Sequence, residues 1–134
     1  MEKNSTPELL FYQKIGELFY AIAASDKIVR KSEYETLTTM VEEEWKSLDA
    51  YKDKFGTDAA YQIAIVFEWF DYEQIDAQDC YNDFEEYYKE HKKLFYDKRK
   101  ELILRTAQKI ADAFSGTNKS ELIMLSKLEL LFKN

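Results

Sequence analysis

Carboxylates are the side chains with the most obvious chemical potential in this chain. Asp26 and Glu33 flank a polar turn, and Glu121 opens a helical pattern near the other end. Oxygen donors gathered at a turn suit hard divalent cations, but an EF-hand needs donors at alternate positions, a Gly at the bend and a Glu at position twelve. Lys27, Ile28 and Arg30 stand there instead, so the turn is not an EF-hand, and its cations oppose a metal. For Glu33 and Glu121 the simpler role is electrostatic, since a carboxylate in a first helical turn faces the positive end of the helix dipole. A second set, Asp79, Asp83, Glu86 and Glu90, recurs on one helix face. That ridge would hold Mg²⁺ or Ca²⁺ loosely or face a basic protein partner; its plainer reading is the wet side of an amphipathic helix.

Other chemistry is thin. His91 is the single histidine and Cys80 the single cysteine, so zinc ligation and a Ser-His-Asp arrangement both lack their parts. His91 reads as a boundary residue bonded to a neighbour, and Cys80 as a small buried apolar group. Three isolated glycines cannot build a phosphate-cradling loop. No acid, base and nucleophile converge, so the expectation is a non-enzyme with no cofactor beyond a weakly held divalent cation.

The elements that place these residues all read as helices. Thr6-Pro7 starts the first, with Phe11, Ile15, Leu18, Phe19, Ile22 and Ala23 on one stripe. Ser32 and Glu35 have the spacing of a capping box opening a second, which buries Tyr34, Leu37, Val41, Trp45 and Leu48. A third, capped by Asp58 or Thr57, is apolar nearly all round from Ala59 to Phe70, which predicts a place at the centre of a bundle. Asp76 caps a fourth with Cys80, Phe84, Tyr87, Tyr88, His91, Leu94 and Phe95 inward. Asp97 caps a fifth that ends near Gly116, and Ser120 caps the last, with Leu122, Leu125, Leu128, Leu131 and Phe132 inward.

Composition agrees. Within 134 residues, 46% are apolar and 16% aromatic, while Gly occurs three times and Pro once; sandwiches and barrels need more turns than that. One cysteine suits a reducing compartment. The amino terminus has no signal-peptide pattern and no apolar run is long enough to span a bilayer, so a cytoplasmic protein is expected. A net charge of −7 argues against nucleic acid. The basic group Lys89, Lys92, Lys93, Lys98, Arg99 and Lys100 reads as a helix junction rather than a binding patch. Rings on adjacent helical positions diverge by about 100°, so some of Tyr12, Tyr20, Trp69, Tyr72 and Tyr88 must face a surface or an interface, a homodimer among the options.

The chain also repeats itself. Lys31-Ser32-Glu33 returns as Lys119-Ser120-Glu121, and the same separation matches Ile15 with Ile103, Ile22 with Ile110, Ala23 with Ala111 and Leu37 with Leu125. The expected fold is therefore all-α: residues 1–134 as a single-domain bundle of five to seven helices, built around two related helix-turn-helix hairpins.

At these hairpins the sequence resembles the TerB-like family, the tellurite-resistance type of helical domain. Its pattern is an apolar helix, then Ala-x-x-Asp-Gly, a short turn and a Glu opening the next helix. Ala23-Ala24-Ser25-Asp26-Lys27 through Glu33 follows it, with Lys27 in the Gly position. Ile110-Ala111-Asp112-Ala113-Phe114-Ser115-Gly116 through Glu121 follows it again, with Ser115 in the Asp position. The resemblance implies a non-enzymatic protein-interaction module in a cytoplasmic stress response. It also implies Asp26, Glu33 and Glu121 as metal contacts, hence an alternative metal-sensing variant. The ridge Asp79, Asp83, Glu86 and Glu90 is then the expected protein-binding face.

Overall fold

Thr6 caps the first helix as the sequence predicts: its Oγ1 accepts from the Leu9 N–H at 3.1 Å, and Pro7 takes the first helical position. This helix, α1 (Pro7–Ala23), belongs to a computed structural model that describes residues 6–49, 52, 58–113 and 119–134. α2 (Lys31–Met40) passes through a π-helical turn (Val41–Trp45) into the short α3 (Lys46–Asp49). There follow α4 (Tyr61–Glu73), α5 (Ala77–Glu90), a 3₁₀ turn (Lys92–Leu94), α6 (Asp97–Asp112) and α7 (Lys119–Phe132). The expected all-α bundle is what forms. Six helices have ten or more residues, and the extended pairing among the described residues is an isolated bridge between Lys52 and Asp58.

The centre is α1, not the third helix of the sequence reading. Every residue from Phe11 to Ala23 except the half-buried Lys14 is buried, and α4, α5, α6 and α7 all pack on it. The apolar surround of α4 proved ambiguous: its Ile63, Val66 and Phe67 are buried against the core, but Ile65 and Trp69 face outward. α1 and α4 approach closely at Gly16, where an added Cβ would lie 2.5 Å from the Ile63 carbonyl oxygen.

Two aromatic groups fill the interior. At one, Trp45 is fully buried beside Tyr12 and Phe19 (ring centroids 6.4 and 6.1 Å) and donates its indole N–H to Thr106 Oγ1 at 3.0 Å, tying the π turn to α6. At the other, Phe95 meets Phe11, Phe84, Tyr88 and Phe132 at 4.9 to 6.0 Å, mostly edge-on, each such pair adding about 0.5–1.5 kcal/mol beyond burial.

The basic group sits at that second end. Arg99 is buried, stacked 4.1 Å over Phe11, and donates to the Leu94 carbonyl and to Glu8 Oε2. Lys100 and Lys92 donate to the Phe132 and Asn134 carbonyls, where cations neutralise the negative end of α7. Arg99, Lys100 and Lys92 thus close a helix junction, with Arg99 inside rather than solvated.

Several boundaries move. α2 opens at Lys31, with Arg30 as its N-cap and Glu33, not Glu35, accepting from the cap's N–H. Asp76 caps α5 through the Asp79 N–H at 3.0 Å as predicted. Asp97 is instead the first residue of α6, and Ser120 the second of α7. Asp58 is no cap: its carboxylate pairs with Lys52 and Lys46, and α4 begins at Tyr61. Thr57, Phe114, Ser115 and Gly116 lie outside the described residues.

Replacing Gly16 by Ala gains up to about 1 kcal/mol in helix propensity but drives a methyl into the Ile63 backbone, an overpacking that costs about 1–3 kcal/mol. The variant should lose about 1–2 kcal/mol in urea unfolding; a gain would show that α1 and α4 do not touch at this point.

Candidate functional site

The turn between α1 and α2 is organised by Asp26. One carboxylate oxygen accepts from the Ile28 N–H at 3.1 Å, and the other meets Arg30 Nη2 at 3.0 Å. Lys27 beside it holds φ at 72°, left-handed backbone that glycine adopts without cost and other residues do not. The Arg30 main-chain N–H donates to Glu33 Oε1 at 2.8 Å, so Glu33 both closes the start of α2 and points inward.

Glu121 arrives at the same place from the other hairpin. Arg30 Nη1 stands 3.7 Å from Glu33 Oε2 and 3.7 Å from Glu121 Oε2, and the two glutamates are 0% and 1% exposed. The sequence candidates Asp26, Glu33 and Glu121 are thus brought together, around a guanidinium the sequence reading counted only as an obstacle. Burial, the hydrogen bond with Glu33 and the charge of the neighbouring carboxylates push the Glu121 carboxyl up to about 9, with Arg30 pulling the other way. One guanidinium and one carboxyl that burial holds toward its neutral form thus sit among three acids.

A divalent cation needs those oxygens turned toward a common point. Here the guanidinium occupies the middle, and among the described residues no group of three or more His, Cys, Asp or Glu side chains is placed to hold a metal ion. In this arrangement a cation would have to displace the guanidinium. Of the second turn, Ser115 to Asn118 lie outside the described residues.

The ridge Asp79, Asp83, Glu86 and Glu90 is exposed on one face of α5. Asp83 is engaged from α1: Lys14 bridges to it and reaches Glu17 Oε1 at 3.4 Å. Glu17, 8% exposed, is a buried acid that sequence reasoning missed; its place between Gly16 and Leu18, three residues after Lys14, was the available signal. Burial and a hydrogen bond with Asp83 push Glu17 up to about 8. Burial works against the Asp83 charge too, but bonds from Glu17 and Lys14 hold its carboxyl below the usual range.

His91 is not inward. It caps the C-terminus of α5, exposed, with its ring stacked 4.4 Å from Tyr87 and Nδ1 3.1 Å from the Tyr87 carbonyl. Cys80 is buried as expected, and burial with the nearby Glu17 pushes its thiol up to about 12, which suits packing and not nucleophilic chemistry.

Tyr12, Tyr20 and Tyr88 enter the core, whereas Trp69 and Tyr72 are 49% and 83% exposed. With Ile65 they form a stripe at helical spacing along the outer side of α4, flanked by exposed Glu68 and Glu73. Leu122, expected inward, is exposed on α7 together with Ile123 and Leu130. Among the described residues, no helix is long and apolar enough to cross a membrane. No protein-family model, curated protein or solved structure matches this chain.

Glu17 and Glu121 each hold a proton in the folded state that the unfolded chain releases above about pH 4.5. Between that value and about 8 to 9 the native state binds more protons, so stability falls as pH rises. Glu17→Gln and Glu121→Gln keep the shape and remove the titration. Each variant should lose less of its urea midpoint between about pH 5.5 and 8.5 than the parent does; identical slopes would refute the shared protons. Lys27→Gly relieves left-handed strain of about 1–2 kcal/mol at an unfolded-state entropy cost of up to about 1 kcal/mol. Its thermal midpoint should therefore rise; a fall would place Lys27 in ordinary backbone.

Proposed function

We propose that this chain is a non-catalytic, TerB-like protein-interaction module serving a cytoplasmic stress response of the tellurite or metal type. The observation that carries the reading is the Ile65, Trp69 and Tyr72 stripe with its Glu68 and Glu73 border. Exposed contiguous apolar surface marks interaction sites, and Trp and Tyr are enriched in them. The acidic ridge of α5 extends the negative character toward a basic partner. The family reading draws support from Lys27, whose φ of 72° falls where the family pattern has glycine. The glutamates opening α2 and α7 lend it more, since they meet at one arginine.

The second reading, a divalent-metal variant using Asp26, Glu33 and Glu121, is favoured by the convergence of those three acids. It requires the Arg30 guanidinium to swing out. Calorimetric titration with Ca²⁺, Mg²⁺, Mn²⁺ and Zn²⁺ should give no heat and no change in Tm; a saturable heat lost in Glu33→Gln would establish the metal variant instead. In pull-downs from the native host, the main reading expects a partner retained by the parent and by Glu121→Gln and lost with Trp69→Ala/Tyr72→Ala. Retention by that double variant would move the contact face off α4.

A further inference from the structure

The outer side of α4 has a counterpart elsewhere on the same molecule. Between α5 and α7 runs a groove of about 380 Å³, in the range of pockets that bury small ligands. Tyr81, Tyr88 and the 63% exposed Leu130 give it an apolar lining, and Lys89, Lys92 and Lys127 stand along it. Lys89 is held at 3.0 Å by Glu85, also on the groove, and Lys92 reaches the Asn134 carbonyl.

The two features differ in charge, and one projects where the other is concave. α4 presents projecting rings between carboxylates, whereas the groove is a concavity among lysines. On a chain of net charge −7, most of the surface repels Glu68 and Glu73, and a lysine-bordered groove accepts them. They also belong to elements with different packing partners. Phe67 of α4 packs with Tyr20 and Tyr34, while α5 joins α7 through Tyr88 and Phe132, 5.2 Å apart.

We propose that the occupant of the α5–α7 groove is the α4 stripe of a second copy of this chain, with Trp69 inserted against Leu130 and Glu68 and Glu73 facing Lys89, Lys92 and Lys127. The proposal rests on the reading of α4 as a contact face and names its partner. The proposed contact is head-to-tail: each copy offers both patches, so one pairing leaves a free patch at either end and continues into a ring or an open chain.

Sedimentation across a range of concentrations tests this on the full chain. The parent should grow in mass beyond a dimer as concentration rises, with the emission of Trp69 shifting to the blue while buried Trp45 stays constant. Trp69→Ser removes the projecting ring and Lys127→Glu/Leu130→Glu closes the groove; all three positions are exposed, and unchanged circular dichroism will confirm folding. Each variant alone should stay monomeric, its association weakened at least about tenfold. Mixed, the two should form a one-to-one dimer that grows no further, since each supplies the half the other lacks. A parent monomeric at every concentration would overturn the proposal and leave the α4 face to a different protein. Association that survives the groove double variant would overturn it in favour of α4 packed on α4. If Trp69→Ser also left assembly intact, the reading of α4 as a contact face would fail with it.

Discussion

The central helix has no wet side, and most of what surrounds it follows from that. A helix buried on every face must be enclosed by others, so α4, α5, α6 and α7 all close on α1. Gly16 permits the tightest of those approaches, at Ile63. Enclosure also dictates the fate of the polar groups on α1. Gln13 donates to Gln62 Oε1 at 3.1 Å on α4, and Glu17 finds Asp83 and Lys14 on the α5 side. A carboxyl this deep is kept neutral more easily than charged, which is why Glu17 is pushed up while Asp83, bonded by Glu17 and Lys14, is held down.

The hairpin repeat meets the same problem a second time. Ile15 and Ile103, Ile22 and Ile110, Leu37 and Leu125 are buried alike, so the two copies use equivalent positions for equivalent packing. Glu33 and Glu121 are equivalent as well, and two helix-start carboxylates in an apolar interior would repel. The guanidinium of Arg30, 3.7 Å from each, opposes that repulsion. The position matching Arg30 in the second copy is Asn118, so one arginine serves both hairpins. A duplicated motif has thus become asymmetric at the point where its copies touch.

Periodicity carried most of the fold. The stripes of α1 and α2 and the Thr6 and Asp76 caps could be read directly, because each depends on spacing within one helix. What could not be read depends on neighbours. α4 and α1 are both apolar nearly all round, and spacing alone does not say which one the others enclose. Ser32-x-x-Glu35 and Arg30-x-x-Glu33 compete for the same helix start; the second wins because Glu33 is also needed inside, against Glu121. For the candidate site, Asp26, Glu33 and Glu121 were found from their types, while Arg30 was weighed as a repelling charge. Only the convergence of the two hairpins turns it into the counter-ion at their centre.

The two helices that lack a polar face therefore end differently. α1 is completed within the molecule: four helices cover it, and Gln13, Lys14 and Glu17 each make a side-chain bond there. α4 is completed on one side only, where Ile63, Val66 and Phe67 join the core, and its other side leaves Ile65, Trp69 and Tyr72 in water. Leaving large apolar groups exposed forgoes roughly 25 cal/mol for each Å² that burial would remove from water. α5, α6 and α7 are committed to α1, and among the described residues none covers the outer side of α4. The sequence pattern of a buried helix on α4 is thus half satisfied by folding, and its other half stays open to water among the described residues.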